Sequence, residues 1–189
     1  MLNNTSDKVT LRRMLLANRQ AITAEVRQQW DAAIGARVLA WWNANPVRSL
    51  GVYWPIRNEP DLHALYRTLA LRGVQLALPT VTARDVPLRF MRWQPGDALV
   101  KDAFGAMVPQ EAAPELKPEA LLIPCVGFNI GNFRLGYGGG FYDRTLAALP
   151  RPLAVGIAYE CCRAEFDADV FDIPLDVMIT EQSPETVVP

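Results

Sequence analysis

Ala120-Leu121-Leu122-Ile123-Pro124 is followed, after a short intervening stretch, by Arg134-Leu135-Gly136-Tyr137-Gly138-Gly139-Gly140-Phe141-Tyr142-Asp143-Arg144. The first run is apolar enough for a strand buried on both faces. The second opens a helix near Gly140 or Tyr142 that runs to Leu149. The pair therefore reads as strand, glycine loop, helix, the repeating unit of a parallel sheet. Glycines remove side chains where a backbone must come close to something. Bare N–H groups can cradle phosphate oxygens, arginine can neutralise them, and aspartate can hold a magnesium ion. A tight strand-to-helix turn with no ligand is the competing explanation.

Outward from this unit, the same alternation recurs. A first helix spans residues 6–20, with Ser6 or Asp7 as cap. A second starts at Thr23, and Val26, Trp30, Ile34, Val38 and Trp41 line one of its faces at spacings of four and three. Leu50–Trp54 reads as a buried strand and Pro55–Glu59 as a loop. Pro60 opens a helix that Gly73 ends. Strands follow at Val74–Leu78 and, more exposed, at 87–93. Pro95–Pro118 carries few regular signals. Leu153–Ala158 and Val177–Thr180 supply the last strands. The expected fold is α/β: a three-layer α/β/α, Rossmann-like arrangement, with a mostly parallel twisted sheet and helices on both faces, in a single domain over 1–189. Ligands of such sheets bind beyond the carboxyl ends of strands. The loops after 50–54 and 120–124 should therefore meet at one crevice.

Composition narrows the chemistry. Half of the 189 residues are hydrophobic, 21% are charged, and the net charge is -1. No basic footprint for nucleic acid and no polybasic or spanning membrane segment is present. The expected location is the cytoplasm and the expected state a monomer. Cys125, Cys161 and Cys162 fit neither a disulfide framework nor a zinc site, and Cys125 reads as a small buried hydrophobe. His63 is the only histidine and reads as a surface residue. Serine occurs only at 6, 49 and 183, so a Ser-His-Asp triad is improbable. The P-loop pattern and G-x-G-x-x-G after the first strand are absent. Lys8 and Arg12 share a helix face, and a solvated basic face explains them as well as a phosphate does. Helix capping likewise explains Asn58-Glu59-Pro60-Asp61.

Taken in order, Lys8-x-x-x-Arg12, Gly51-Val52-Tyr53-Trp54-Pro55 leading to Glu59-Pro60-Asp61, Pro124-x-x-Gly127-Phe128, the glycine segment 134–144, and Asp172-Ile173-Pro174-Leu175-Asp176 with Ile179-Thr180 resemble the 5-formyltetrahydrofolate cyclo-ligases, also called 5,10-methenyltetrahydrofolate synthetases. The resemblance covers nearly the whole chain. The glycine segment is its specific part.

The resemblance implies an enzyme of one-carbon folate metabolism. It would take 5-formyltetrahydrofolate, with or without a polyglutamate tail, and ATP as co-substrate with Mg2+. The products would be 5,10-methenyltetrahydrofolate, ADP and phosphate. It further implies ATP binding by Lys8, Arg12 and Arg134 through Tyr142, that is Arg134, Leu135, Gly136, Tyr137, Gly138, Gly139, Gly140, Phe141 and Tyr142. Arg134 and Tyr137 would be catalytic. Folate would be bound by Tyr53, Trp54, Glu59, Asp61 and the segment Tyr137, Gly138, Gly139, Gly140, Phe141. Asp143 would bind the metal, assisted by Asp176 or Asp172. Phe141 stands where the family usually has tyrosine. A binding module without turnover, and an ATP-dependent enzyme acting on a non-folate substrate, are the alternatives. The stretch 50–61 discriminates the second.

Overall fold

The structure is a computed structural model that describes residues 4–103, 105–110 and 113–182. Its order is α1 (Asn4–Gln20), α2 (Ala24–Ala44), β1 (Ser49–Gly51), α3 (His63–Leu71), β2 (Gln75–Thr80), β3 (Arg89–Trp93), β4 (Leu99–Lys101), β5 (Met107–Pro109), β6 (Glu115–Leu116), β7 (Ala120–Pro124), β8 (Gly127–Phe128), β9 (Arg134–Leu135), α4 (Phe141–Ala147), β10 (Leu153–Ile157), a 3-10 turn at Glu160–Cys162, and β11 (Val177–Ile179).

Seven strands form one sheet in the order β11-β10-β7-β1-β2-β3-β6. Pairing is parallel from β11 to β2. The last two strands, β3 and β6, turn antiparallel. From β1 the chain crosses through α3 to β2 on one side; from β7 it crosses through α4 to β10 on the other. Strand–helix–strand crossovers are right-handed, so α3 and α4 pack on opposite faces. The direction of winding reverses between β1 and β7, which makes their carboxyl ends the switch point of the sheet.

Local chemistry sets the boundaries. Thr23 caps α2, its hydroxyl accepting from the Val26 N–H at 3.4 Å. Gly73 has φ +84° and closes α3. Val74 N–H donates to Leu69 O and Gly73 N–H to Ala70 O, the paired bonds of a left-handed helix stop. The α3 start differs from the sequence expectation. It falls at His63 because the Asp61 carboxylate accepts the His63 N–H at 2.9 Å, leaving Pro60 in the loop. Strand β3 is also less exposed than its sequence predicts, since Phe90, Met91 and Trp93 are buried.

The core is the sheet with Ile34 and Val38 of α2, Leu65, Tyr66 and Leu69 of α3, and Leu146 of α4. Helix α1 stands apart. Its Leu15 packs with Val126 and Leu135 in a separate small cluster. Gly51 is where the sheet admits no side chain: a Cβ there would meet Leu121 Cδ2 and lie 2.8 Å from the Phe90 ring. Gly51→Ala is expected to cost about 1–3 kcal/mol by overpacking. Thermal melting should fall by roughly 2–10 °C, and an unchanged melting temperature would mean that the core yields there.

Candidate functional site

The chain leaving β1 and the chain leaving β7 both meet α1, through Arg19. Residues 52–62 form the β1–α3 loop, in which Arg57 (φ 49°) and Asn58 (φ 59°) take left-handed conformations that ordinary side chains disfavour. That turn is closed by the Glu59 N–H donating to Ile56 O at 2.9 Å. The chain after β7 makes the β8–β9 hairpin and enters the glycine loop, with φ of +94° at Gly138 and +65° at Gly140. These angles favour glycine.

The glycine loop is held by its carbonyls. Arg12 Nε donates to Gly136 O at 2.8 Å, and Arg144 to Gly139 O at 2.7 Å. Its amides are left unused: among the described residues, no N–H from 136 to 140 donates to another group of the protein. Five consecutive unused donors beside two guanidinium groups are chemically suited to an anion.

Lys8 and Arg12 do face the same region from α1. Lys8 is buried and already paired, 2.7 Å from Asp169 and 3.1 Å from Asp172. Burial opposes its charge, but the two carboxylates outweigh this and hold its pKa above the usual lysine value. Arg134 is buried too. It pairs with Asp143 Oδ2 at 2.7 Å, donates to Ile173 O, and lies over the Tyr142 ring. The second Asp143 oxygen accepts the Ile173 N–H at 3.1 Å.

Glu59 and Tyr137, far apart in sequence, are joined. The Tyr137 hydroxyl donates to Glu59 Oε1 at 2.8 Å, and the Ile56 N–H donates to Oε2 at 2.9 Å. Burial raises the Glu59 pKa, against the opposing pull of the Ile56 N–H, Arg19, Tyr137 and Arg57. The Arg57 guanidinium lies 5.1 Å from the Tyr137 ring centroid. Glu59 lines a cavity of about 1170 Å³ that opens between α2, α3 and the β1–α3 loop, with Arg27, Asp31, Trp54, Asp61 and His63 among its other residues. Tyr137 lines a second space, a groove of about 510 Å³ along α1 with Arg12, Arg13 and Leu16.

Several residues stand elsewhere than the sequence reading expects. Tyr53 is no flat platform: it is 2% exposed and its hydroxyl donates to Pro60 O at 2.7 Å. Trp54 keeps an exposed part at the cavity and meets the His63 ring edge-on at 4.3 Å. His63 is therefore no plain surface residue. Its Nδ1 is 2.6 Å from Asp61, and its ring packs on Trp54 and Tyr66. Asp61 lines the cavity while bonded to His63. Asp176 is not brought to Asp143. It sits at the amino end of β11, held by Arg151 at 2.8 Å and by the Ala154 N–H at 2.6 Å, at the opposite end of the strands from the glycine loop. Asp172 is engaged with Lys8. Phe141 and Tyr142 begin α4, directly after the loop. Cys125 behaves as a buried hydrophobe, and burial pushes its thiol pKa up to about 12.

Arg19 is the site residue that sequence reasoning missed. It is 1% exposed and donates to Arg57 O, Cys125 O and the Tyr137 hydroxyl. The signal was present: Lys8, Arg12, Leu15 and Arg19 follow at spacings of four, three and four, one face of α1.

Among the described residues no group of three or more His, Cys, Asp or Glu side chains is placed to hold a metal. Asp143, at the end of the glycine loop, offers a single carboxylate. That donor set fits a magnesium ion carried mainly by nucleotide phosphates, not a protein-built cage. No described helix is long and apolar enough to cross a membrane.

Fold and site together define an α/β protein whose crevice, at the sheet's switch point, is bordered by a glycine loop. Over residues 4–181 the chain matches the 5-formyltetrahydrofolate cyclo-ligase family, and it belongs to that family. It is 29% identical over 179 residues to the 5-formyltetrahydrofolate cyclo-ligase of Mycoplasma pneumoniae, covering 93% of this chain and 99% of the relative. It is 30% identical over 189 residues to that of Mycolicibacterium smegmatis, covering 92% and 93%. The structure of the M. pneumoniae 5,10-methenyltetrahydrofolate synthetase superposes with a TM-score of 0.79 at 27% identity, covering 93% of this chain and 99% of that one. The Aquifex aeolicus 5,10-methenyltetrahydrofolate synthetase gives 0.79 at 30% identity, covering 93% and 90%.

Proposed function

We propose that this protein closes 5-formyltetrahydrofolate to 5,10-methenyltetrahydrofolate at the expense of ATP. Family membership supports the folate conversion. The observation that carries the ATP half is the glycine loop, with free amides at 136–140 and carbonyls held back by Arg12 and Arg144. The formyl oxygen attacks the γ-phosphorus and ADP leaves. N10 adds to the activated carbon and its proton passes to the departing phosphate, which takes the former formyl oxygen with it and leaves the methenyl bridge. This route needs no protein nucleophile. It needs positioning and charge neutralisation.

In this reading the loop amides bind phosphate oxygens and Arg12 neutralises them from α1. Arg134 both adds positive charge and orients Asp143. Magnesium bound with the nucleotide would offset phosphate charge, and Asp143 would be the residue to hold it, exchanging part of its contact with Arg134 and the Ile173 N–H. Lys8 reaches phosphate by exchanging Asp169 and Asp172 for it. Tyr137 lies between nucleotide and folate. The cavity beside Glu59 takes the pterin, with Trp54 as its apolar surface and Asp61 available to ring N–H donors.

The test is an absorbance assay for methenyltetrahydrofolate with purified protein, 5-formyltetrahydrofolate, ATP and magnesium. One ATP should be consumed per product formed, only with a divalent metal, giving ADP and phosphate. AMP and pyrophosphate would overturn γ-phosphoryl transfer.

A further inference from the structure

Arg19 has no place in the reaction just described, yet few side chains are more deeply engaged. A buried guanidinium is costly unless its donors are satisfied. Here three of its nitrogens reach three different segments: Nε to Arg57 O at 3.0 Å, a terminal nitrogen to Cys125 O at 3.3 Å, and the other to the Tyr137 hydroxyl at 2.8 Å. These are the β1–α3 loop, the loop after β7, and the glycine loop. Both loops leave the switch point, so Arg19 fastens the two walls of the crevice to α1.

The hydroxyl of Tyr137 is the shared atom. It accepts from Arg19 and donates to Glu59, which fixes the direction of its proton. With Arg19 as donor, the hydroxyl hydrogen is directed to the carboxylate. Without it, Tyr137 can turn that hydrogen elsewhere, and Glu59 loses a nearby positive charge while staying buried. Burial opposes the charge on Arg19, and Tyr137 and Glu59 outweigh that effect. Glu59 lines the large cavity and Tyr137 lines the groove on α1, so their hydrogen bond joins one residue of each space.

We infer that Arg19 is a positioning residue that locks Tyr137 and Glu59 into one rigid partition between the nucleotide and folate spaces. The inference deepens the function proposed above and rests on it. Because Arg19 fastens both walls, its loss disturbs both substrates, although it need touch neither.

The test compares Arg19→Lys, Arg19→Met, Tyr137→Phe and the double variant Arg19→Met/Tyr137→Phe. Steady-state constants are measured for each substrate, and melting curves without ligand. Arg19→Met should lower kcat/KM for ATP and for the folate by about 10-fold or more per folded molecule. Arg19→Lys, which restores charge but not the fork, should recover part of this. The double variant should lie within about 3-fold of the weaker single variant, because residues acting as a unit are not additive. Losses that multiply, an effect on one substrate alone, or a loss explained by the unfolded fraction would each overturn the inference. If Arg19→Met does not fold, Arg19→Lys and Tyr137→Phe carry the same comparison. Failure of the functional reading shows separately, as an unsubstituted protein that forms no methenyltetrahydrofolate. The ligand-free melting cycle then decides, and additive shifts would sink the rigid unit.

Discussion

Asp143→Asn is expected to lower turnover by roughly 100-fold or more and to raise the magnesium concentration needed for half-maximal rate. Losing an anionic oxygen weakens the hold on a hard cation, and changes in a metal's immediate support cost about 10–100-fold in affinity or activity. The ion pair adds a second effect. Arg134 is buried and faces Asp143 Oδ2 at 2.7 Å, while Oδ1 accepts the Ile173 N–H. An asparagine can satisfy Ile173 only by turning its amide nitrogen toward Arg134, donor against donor. Leaving a buried charge without its partner costs on the order of 3 kcal/mol, so melting without ligand should fall by roughly 6–12 °C. The deciding measurement is turnover per folded molecule against magnesium concentration. An unchanged metal curve, with a lower melting temperature, would make Asp143 the anchor of Arg134 and nothing more.

The second large effect is expected at Glu59→Gln. From sequence alone this carboxylate belongs to the folate side, and its loss should spare ATP. The structure joins it to Tyr137 of the glycine loop, so both substrates should lose kcat/KM, the folate more. Glu59 accepts from Tyr137 on one oxygen and from Ile56 on the other. Glutamine can accept on only one side, and a buried unmatched donor costs about 1–3 kcal/mol. The pH dependence has a definite sign. Burial raises the Glu59 pKa, so the folded state holds this proton more tightly than the unfolded chain. Stability contributed by Glu59 is then present at low pH and is lost as pH rises through its folded pKa. Glu59→Gln should flatten that part of the curve. Melting temperature measured from pH 4 upward checks it, and an identical slope in both proteins would refute a raised pKa at this position.

Much of the fold was legible because its signals are local. The stripe from Val26 to Trp41, the Thr23 cap, the Gly73 stop and the apolar run 120–124 each fix an element with near neighbours. The β1–α3 boundary was less legible, because Asp61 accepts the His63 N–H in a side-chain turn just before the helix, which keeps Pro60 in the loop. Strands β4, β5 and β6 were read as irregular, since two or three residues leave no periodicity and their pairing is made at a distance. At the site, glycine spacing exposed the loop at once. Asp176 was misplaced because Pro174 and Leu175 separate it from the segment at Ile173 that touches Asp143, and sequence does not show which end of a strand a residue joins. Arg19 escaped because a basic residue in the last turn of a helix has an ordinary explanation. Its three carbonyl and hydroxyl partners exist only once the sheet has brought the loops together.

Helix α1 carries Lys8, Arg12 and Arg19, yet its apolar anchor is the small cluster around Leu15 and not the core of the sheet. Part of the crevice's positive charge, from Lys8, Arg12 and Arg19, therefore sits on a helix whose apolar attachment is separate from the core of the sheet. Helix docking and ligand occupancy form one linked equilibrium: whatever fills the crevice strengthens α1's attachment, and whatever loosens α1 dilutes the crevice's charge. The charge that faces the crevice can accordingly be altered on one face of α1, with the seven-stranded sheet left as it is.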